Sequence, residues 1–345
     1  MGHDFDFSAG DGISRYSYEL YNGLKERVEL RTIATGKTPR PLRALFNINA
    51  KDADIVHLMY PDVANIGKGD AKMVIMWHDM RLFSKYEEES QARATPRLAE
   101  RFNVASSMIR KWALSNYAGS DANVCNSSQT LGELKDYMRA QRAYKPGKRY
   151  AVTPLGVDPW FFHNKVWKGD RKDFAYVGSI HLKHKNLPGL LKVFNRIVER
   201  SRESKLHIFT PSTGAQEQLR IALKYFSNLS GKNVVLHYKA TTREVSGYLP
   251  QMAAYLQLTM HEGFGMPVLE ALASGTNVLT LRDSHIPKEV RRYAFSGSEE
   301  EVVRKAIELA KVATPAPKQA VSYARSFTWK RTVEATLKVY ERLLG

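Results

Sequence analysis

The sequence predicts an α/β chain built as two doubly wound domains, and three observations carry that prediction. Short apolar runs rich in β-branched and aromatic residues alternate along the chain with longer stretches of helical period. The runs are apolar throughout, as strands of a parallel sheet buried on both faces are. Near the middle, Gly156–Lys172 (GVDPWFFHNKVWKGDRK) has neither period, and it carries Pro159, Gly169 and a cluster of charges. A length of 345 residues is enough for two domains that each bury a core. The expected division is a first domain over 1–160, a second over 161–325, and a terminal segment over 326–345.

Taken in order, the elements begin weakly. An α/β domain ordinarily opens on an apolar strand, and His3–Ser8 makes a poor one. A helix over Ile13–Arg27 follows, then the apolar runs Asp54–Met59 and Lys72–Trp77 as strands. Arg97–Tyr117 reads as a helix, with apolar Leu98, Phe102, Ala105, Met108, Ile109 and Trp112 among Arg101, Arg110 and Lys111. Strand Ala122–Cys125, helix Gln129–Ala140 and strand Arg149–Thr153 complete the first half. The second half repeats the alternation. Its strands are expected at Asp173–Val177, Lys205–Phe209, Asn233–Tyr238, Ala254–Met260 and Asn277–Leu281. Its helices are expected at Leu187–Arg200, Ala215–Leu229, Arg243–Met252, Met266–Ser274 and Glu299–Lys311. Two such domains joined by one linker place a cleft between the carboxyl edges of two sheets, where ligands of open α/β folds bind.

Composition narrows the function. The chain has 52 Lys and Arg against 35 Asp and Glu, a net charge of +17, which attracts polyanions and phosphorylated substrates. Residues 1–160 hold 23 basic and 19 acidic side chains, and residues 161–345 hold 29 and 16, so the excess sits mostly in the second half. The single cysteine, Cys125, excludes a disulfide framework and a cysteine-only metal site, and it reads as a buried strand residue. No apolar run reaches the ~18–20 residues of a membrane span, and the acidic, Gly-rich start is unlike a signal peptide. The expectation is a soluble cytoplasmic protein. The helix at Arg97–Tyr117 suits either a core-facing role or peripheral contact with an anionic membrane at its inner face, delivering a lipid-linked acceptor.

The most informative segment is His261–Gly275, HEGFGMPVLEALASG. It follows a strand and opens a helix with Pro267 in the first turn, where proline is tolerated. The Gly263-Phe264-Gly265 turn lets backbone approach a ligand closely, and free N–H groups at a helix start favour phosphate. Glu262 precedes the turn, and Glu270 lies in the helix, placed to accept hydrogen bonds from a vicinal diol such as a ribose. These residues point to a nucleotide or sugar-phosphate site, against the plainer reading of a strand–turn–helix with two solvated glutamates.

The spacing in EGFGMPVLE, Glu-x7-Glu, resembles the signature of retaining glycosyltransferases of the family 4 type (glycosyl transferases group 1), which have the GT-B fold of two Rossmann-like domains. Other segments are similar in the family's order: Gly12–Leu20 to the Gly-rich loop and first helix, and Trp77-His78-Asp79 to a segment after a strand. Asn126-Ser127-Ser128 and Pro154–Asp158 resemble the segments before the linker. Tyr176–Leu187, YVGSIHLKHKNL, resembles the opening of the donor domain, and Ser326–Leu343 the terminal helix that crosses back to the first domain.

The resemblance implies an enzyme moving a hexose from a nucleotide-diphosphate sugar to a hydroxyl of a glycan, a lipid-linked molecule or another acceptor. Retention of configuration is implied, with no metal and no cofactor, the nucleotide sugar being a substrate. No Asp-x-Asp motif is paired with a plausible ligand cluster. Glu270 would hold the ribose hydroxyls, and Glu262 with the backbone of Phe264, Gly265 and Met266 the sugar hydroxyls. The amides of Val268 and Leu269 would face the diphosphate, Lys185 would neutralise its charge with the N–H groups of the Gly10–Gly12 loop, and His78 would sit near the reacting sugar. The acceptor would attack from the leaving-group face while the phosphate takes its proton. The chain departs from the family at Ser179 and His184, where members carry arginine, so Lys185 would be joined by Lys183 or His184. His78 read plainly is a core histidine, His261 is structural, Asp79 orients its loop, and Trp329 and Tyr340 are packing anchors.

Two other classes compete. One is another sugar-nucleotide enzyme of GT-B fold, an epimerase or a phosphorylase. The other is a non-catalytic, basic polyanion-binding protein. Against nucleic acid as its partner, the sequence lacks interleaved aromatic and basic strands that stack bases.

Overall fold

The computed structural model describes residues 12–33, 47–62, 65–83, 96–163, 167 and 169–345. Gly10 and the weak opening run His3–Ser8 lie outside the described residues. The chain divides into two units, one of residues up to Gly156 together with Trp329–Gly345, the other Val157–Thr328. Each is an α/β unit around a parallel sheet.

The first unit opens on helix α1 (Gly12–Leu24). Strands β1 (Asn47–Asn49) and β3 (Asn65–Gly67) form a two-stranded parallel ribbon. The main sheet has the order β2-β4-β5-β6, all parallel, from β2 (Ile55–Leu58), β4 (Lys72–Trp77), β5 (Ala122–Cys125) and β6 (Arg149–Val152). Helices α2 (Pro96–Gly119) and α3 (Ser128–Ala140) supply the crossovers. Five of the six residues of β4 and all four of β5 are buried, which is why they read as predominantly apolar runs. The polar members are satisfied inside: the Trp77 indole N–H donates to Asn123 Oδ1 at 2.9 Å. Cys125 is fully buried, and burial pushes its thiol well above the usual range. On α2, Ile109, Ala113, Asn116 and Tyr117 are buried, so this part of the helix faces its own sheet, while Met108 stays 40% exposed. No helix among the described residues is long and apolar enough to cross a membrane.

The second unit carries six parallel strands: β7 (Phe174–Val177), β8 (Leu206–Thr210), β9 (Val234–Tyr238), β10 (Ala254–Gln257), β11 (Asn277–Leu281) and β12 (Phe295–Gly297). Their order is β12-β11-β10-β7-β8-β9. The first strand of the unit thus lies beside the fourth, and the winding reverses between β7 and β10, the position where doubly wound sheets open a ligand crevice. The helices are α4 (Leu187–Val198), α5 (Ala215–Leu223), α6 (Thr242–Tyr248), α7 (Met266–Ala273), α8 (Glu299–Val312) and α9 (Lys318–Arg325). Leu190, Leu191, Phe194 and Ile197 of α4 recur at helical spacing and pack with Phe174, Tyr176, Leu206 and Ile208 in the core. The last helix, α10 (Trp329–Leu344), belongs to the first unit, where Thr332 Oγ1 donates to Pro154 O at 2.7 Å.

Several bounds differ from the sequence reading for identifiable reasons. The expected helix Arg243–Met252 is α6 followed by a 3₁₀ turn, Leu249–Gln251, because Pro250 has no N–H to continue an α-helix. Strand β10 stops at Gln257, after which Met260 N donates to His184 O at 2.8 Å. Helix α5 ends at Leu223, and helix α9, short and preceded by Pro315 and Pro317, was not anticipated.

Candidate functional site

In the second unit, the segments after β7 and after β10 meet where the strand order reverses. After β7, Gly178 at φ +149° passes so close to Tyr176 that a Cβ there would lie 3.0 Å from its hydroxyl, which itself donates to Ser179 O at 3.0 Å. The chain then makes a 3₁₀ turn, Lys183–Lys185, that ends on Asn186 in the left-handed region. Asn186 begins α4 with its Oδ1 accepting from Gly189 N at 3.2 Å, and its Nδ2 donates to Leu258 O at 2.9 Å, tying this turn to the segment after β10. The turn separates its three cations. Lys183 is exposed, the His184 ring is buried, and Lys185 reaches the neighbouring segment.

After β10, Glu262 is set by backbone pairing. Its N–H donates to His285 O, and His285 N–H donates to Met260 O, both at 2.9 Å. His261 stacks on His285 with ring centres 4.9 Å apart. The Glu262 carboxylate receives Lys185 Nζ at 2.7 Å on one oxygen and 3.0 Å on the other. It also receives Gln257 Nε2 at 2.7 Å. Phe264 is buried against Phe327, and Gly265, at φ +93°, is the N-cap of α7. As the N-cap, Gly265 offers no side chain to cap this helix start. Pro267 has no N–H, and Val268 N–H already donates to Gly265 O at 3.0 Å. Among the described residues, the amides at this helix start that have no backbone partner are those of Gly265 and Met266. Glu270 is half-buried one helical turn beyond, and Leu269 is buried beside it.

The other end of α7 holds residues that sequence reasoning missed. Arg325 donates through Nε to Ala273 O at 3.0 Å and through Nη2 to His163 O at 2.5 Å. Arg171, 1% exposed, donates to Gly275 O at 3.1 Å. Two guanidiniums thus stand at the negative end of the helix whose positive end is the uncapped start. Burial lowers the pKa of both. Their partners are carbonyl groups, which no motif encodes. Gln257 was also missed, although one amide inside an apolar strand was a readable signal.

In the first unit, the segments Trp77-His78-Asp79 and Asn126-Ser127-Ser128 come together at the carboxyl ends of β4 and β5. Asn126 Nδ2 donates to His78 O at 2.7 Å, and Thr130 Oγ1 donates to Asn126 Oδ1 at 3.1 Å. The His78 ring is 7% exposed, edge-on to Tyr16 at 5.0 Å and Tyr60 at 5.9 Å. Asp79 Oδ1 accepts from Arg81 N at 3.1 Å, a loop-orienting contact. Gly12 is the first residue of α1. Trp329 and Tyr340 are buried in α10.

Residues 159–326 match the family model of glycosyl transferases group 1. No curated protein matches the chain significantly. Among solved structures, sucrose-phosphate synthase from Thermosynechococcus elongatus is 13% identical with a TM-score of 0.71, over 99% of this chain and 98% of that one. The α,α-trehalose 6-phosphate synthase from Burkholderia multivorans is 12% identical with a TM-score of 0.60, over 99% and 96%. The pneumococcal O-GlcNAc transferase GtfA, in complex with UDP and GlcNAc, is 15% identical with a TM-score of 0.61, over 86% of this chain and 58% of that one. At these identities the likeness is one of fold, and the fold is the GT-B type of two Rossmann-like halves.

Proposed function

We propose that the protein is a glycosyltransferase that takes a hexose from a nucleotide-diphosphate sugar and transfers it, with retention, to a hydroxyl of a glycan or lipid-linked acceptor. The observation that carries the proposal is the Lys185–Glu262 pair at the reversal of the second sheet, next to the uncapped start of α7. A leaving diphosphate gains negative charge as the glycosidic bond loosens. A preset ammonium and helix-start amides are strongest against charge that develops in the transition state. Lys185 commits two of its three ammonium hydrogens to Glu262 and keeps one for a phosphate oxygen. These groups supply the positive charge without a metal. Glu262 would bind sugar hydroxyls and Glu270 the ribose diol. The family match over 159–326, and the UDP and GlcNAc held by a protein of the same fold, support a nucleotide sugar as donor.

Transfer without a strong protein nucleophile follows, the departing phosphate accepting the acceptor's proton. His78 is assigned to the reacting sugar and Gly12 to phosphate. The first unit, as the acceptor-binding one, is also assigned peripheral contact with an anionic membrane, for which exposed Met108 beside Lys111 is suited.

The test is thermal shift and sugar transfer with UDP, GDP, ADP and dTDP and their hexose conjugates, on wild type, Glu270→Ala and Lys185→Ala. Stabilisation by one nucleotide, about 2.7 kcal/mol at a hundredfold excess over its dissociation constant, is expected in the wild type and lost in Glu270→Ala. Both variants are expected to lose most transfer while staying folded. Near-normal turnover in both overturns the assignment, and conversion of the nucleotide sugar to its epimer would favour an epimerase.

A further inference from the structure

We infer that Gln257 is a positioning residue of this site: a buried amide that holds the Glu262 carboxylate in place and, through it, the Lys185 ammonium. The inference rests on the donor-site reading of Lys185 and Glu262 given above. Strand β10 is buried at all four positions, and Gln257 is 1% exposed. An amide buried without partners costs roughly 1–3 kcal/mol, and a leucine or methionine of similar size would fill the place without that cost. Here every hydrogen-bonding group of the amide is used. Nε2 donates to Glu262 Oε1 at 2.7 Å and to Thr259 Oγ1 at 3.0 Å. Oε1 accepts from the Tyr255 hydroxyl, which also lies 3.3 Å from Val177 O at the end of β7. The orientation is dictated chemically, since the reversed amide would set its carbonyl against a carboxylate.

Tyr255 is the right donor for this chain of contacts. Burial first, then the neighbouring Tyr176 and Glu262, push its hydroxyl well above the ordinary phenol range. It stays protonated and gives its hydrogen to Gln257. The amide's second hydrogen is then fixed on the oxygen that Lys185 also approaches. The carboxylate cannot rotate without breaking two donors, and an ammonium bound to both its oxygens cannot move independently of it. The network crosses from β10 to the end of β7, the two strands at which the winding reverses.

The experiment uses the full chain with Gln257→Met and Gln257→Glu, UDP-glucose and GDP-mannose as donor probes, and the ¹H–¹⁵N signal of the Lys185 ammonium, assigned with Lys185→Arg. In Gln257→Met we expect an unchanged melting profile and a broadened or lost ammonium signal. We also expect kcat to fall at least tenfold, with the affinity for the free nucleoside diphosphate kept within about threefold. Gln257→Glu restores the contact only while its carboxyl carries a proton to donate to Glu262. Its activity therefore falls as pH rises over a range where the wild type is flat, which a purely structural role would not produce. An unchanged ammonium signal in Gln257→Met overturns the inference, as does an unchanged kcat in a wild type that transfers sugar. If the wild type neither binds nor turns over any nucleotide sugar, the donor-site reading falls, and the ammonium signal still decides whether Gln257 positions the pair.

Discussion

Lys185 and Glu262 belong to segments that follow different strands, β7 and β10, yet the ammonium lies within 3.0 Å of both carboxylate oxygens. The side chains are 19% and 11% exposed, so the pair is partly withdrawn from water and weakly screened. Removing one partner leaves the other's charge poorly compensated. A double-mutant cycle in urea with Lys185→Met and Glu262→Gln is expected to give a coupling of about 1–3 kcal/mol, little changed by added salt. Additivity within about 0.5 kcal/mol would mean that the pair does not act as a unit.

Helices α1 and α10 approach so closely that a Cβ on Gly23 would lie 2.4 Å from Val333 Cγ2. The obstacle is a short branched side chain in a packed seam, so it cannot swing away. Gly23→Ala is expected to destabilise by about 1–3 kcal/mol through overpacking, despite alanine's better helix propensity. Val333→Ala in the same chain should recover part of that loss. Equal denaturation midpoints for wild type and Gly23→Ala would refute the close packing.

How much of this was legible in the sequence depended on the kind of physics involved. Strands β4, β5 and β11 have the bounds expected, because a strand buried on both faces writes itself as a mostly apolar run. Strands β1, β3 and β12 have three residues each and exist through their neighbours, so no local pattern marks them. Glu262 and Glu270 were readable from their spacing, and Lys185 from its resemblance to a family segment. That Lys185 would grip Glu262, 77 residues away, was not readable, because it depends on the order of strands in the sheet.

His57 shows how burial becomes a pH dependence. Its Nδ1 lies 2.6 Å from the Tyr340 hydroxyl, and both side chains are buried. Burial lowers the imidazole pKa to about 3, so the ring is neutral in the fold. The unfolded chain titrates near 6.5 and binds the extra proton between those values. Stability from this group is therefore complete above pH 6.5 and is lost as pH falls toward 3, at about 1.4 kcal/mol per pH unit inside the window. Urea midpoints at pH 7.5 and 5 should show a smaller acid loss in His57→Gln than in wild type. Equal losses would contradict a neutral buried His57.

Gly265 is where conformation and chemistry coincide. Its φ of +93° turns the chain from the Glu262 segment into α7 and leaves its own amide and that of Met266 without partners among the described residues. Space is not the constraint, because an added Cβ would meet Ile286 and Val290 at 3.5 Å, ordinary contact distance. The constraint is the backbone, since an L side chain at positive φ costs roughly 1–2 kcal/mol. Gly265→Ala should therefore lower stability by about that amount without a packing defect. Relief of the strain by rotation of the peptide would re-aim the Met266 amide. Nucleoside diphosphate affinity should then fall further than stability alone explains, at least tenfold at a temperature where the variant is fully folded. A variant that loses stability but binds the nucleotide as the wild type does would show that these amides are not the phosphate donors.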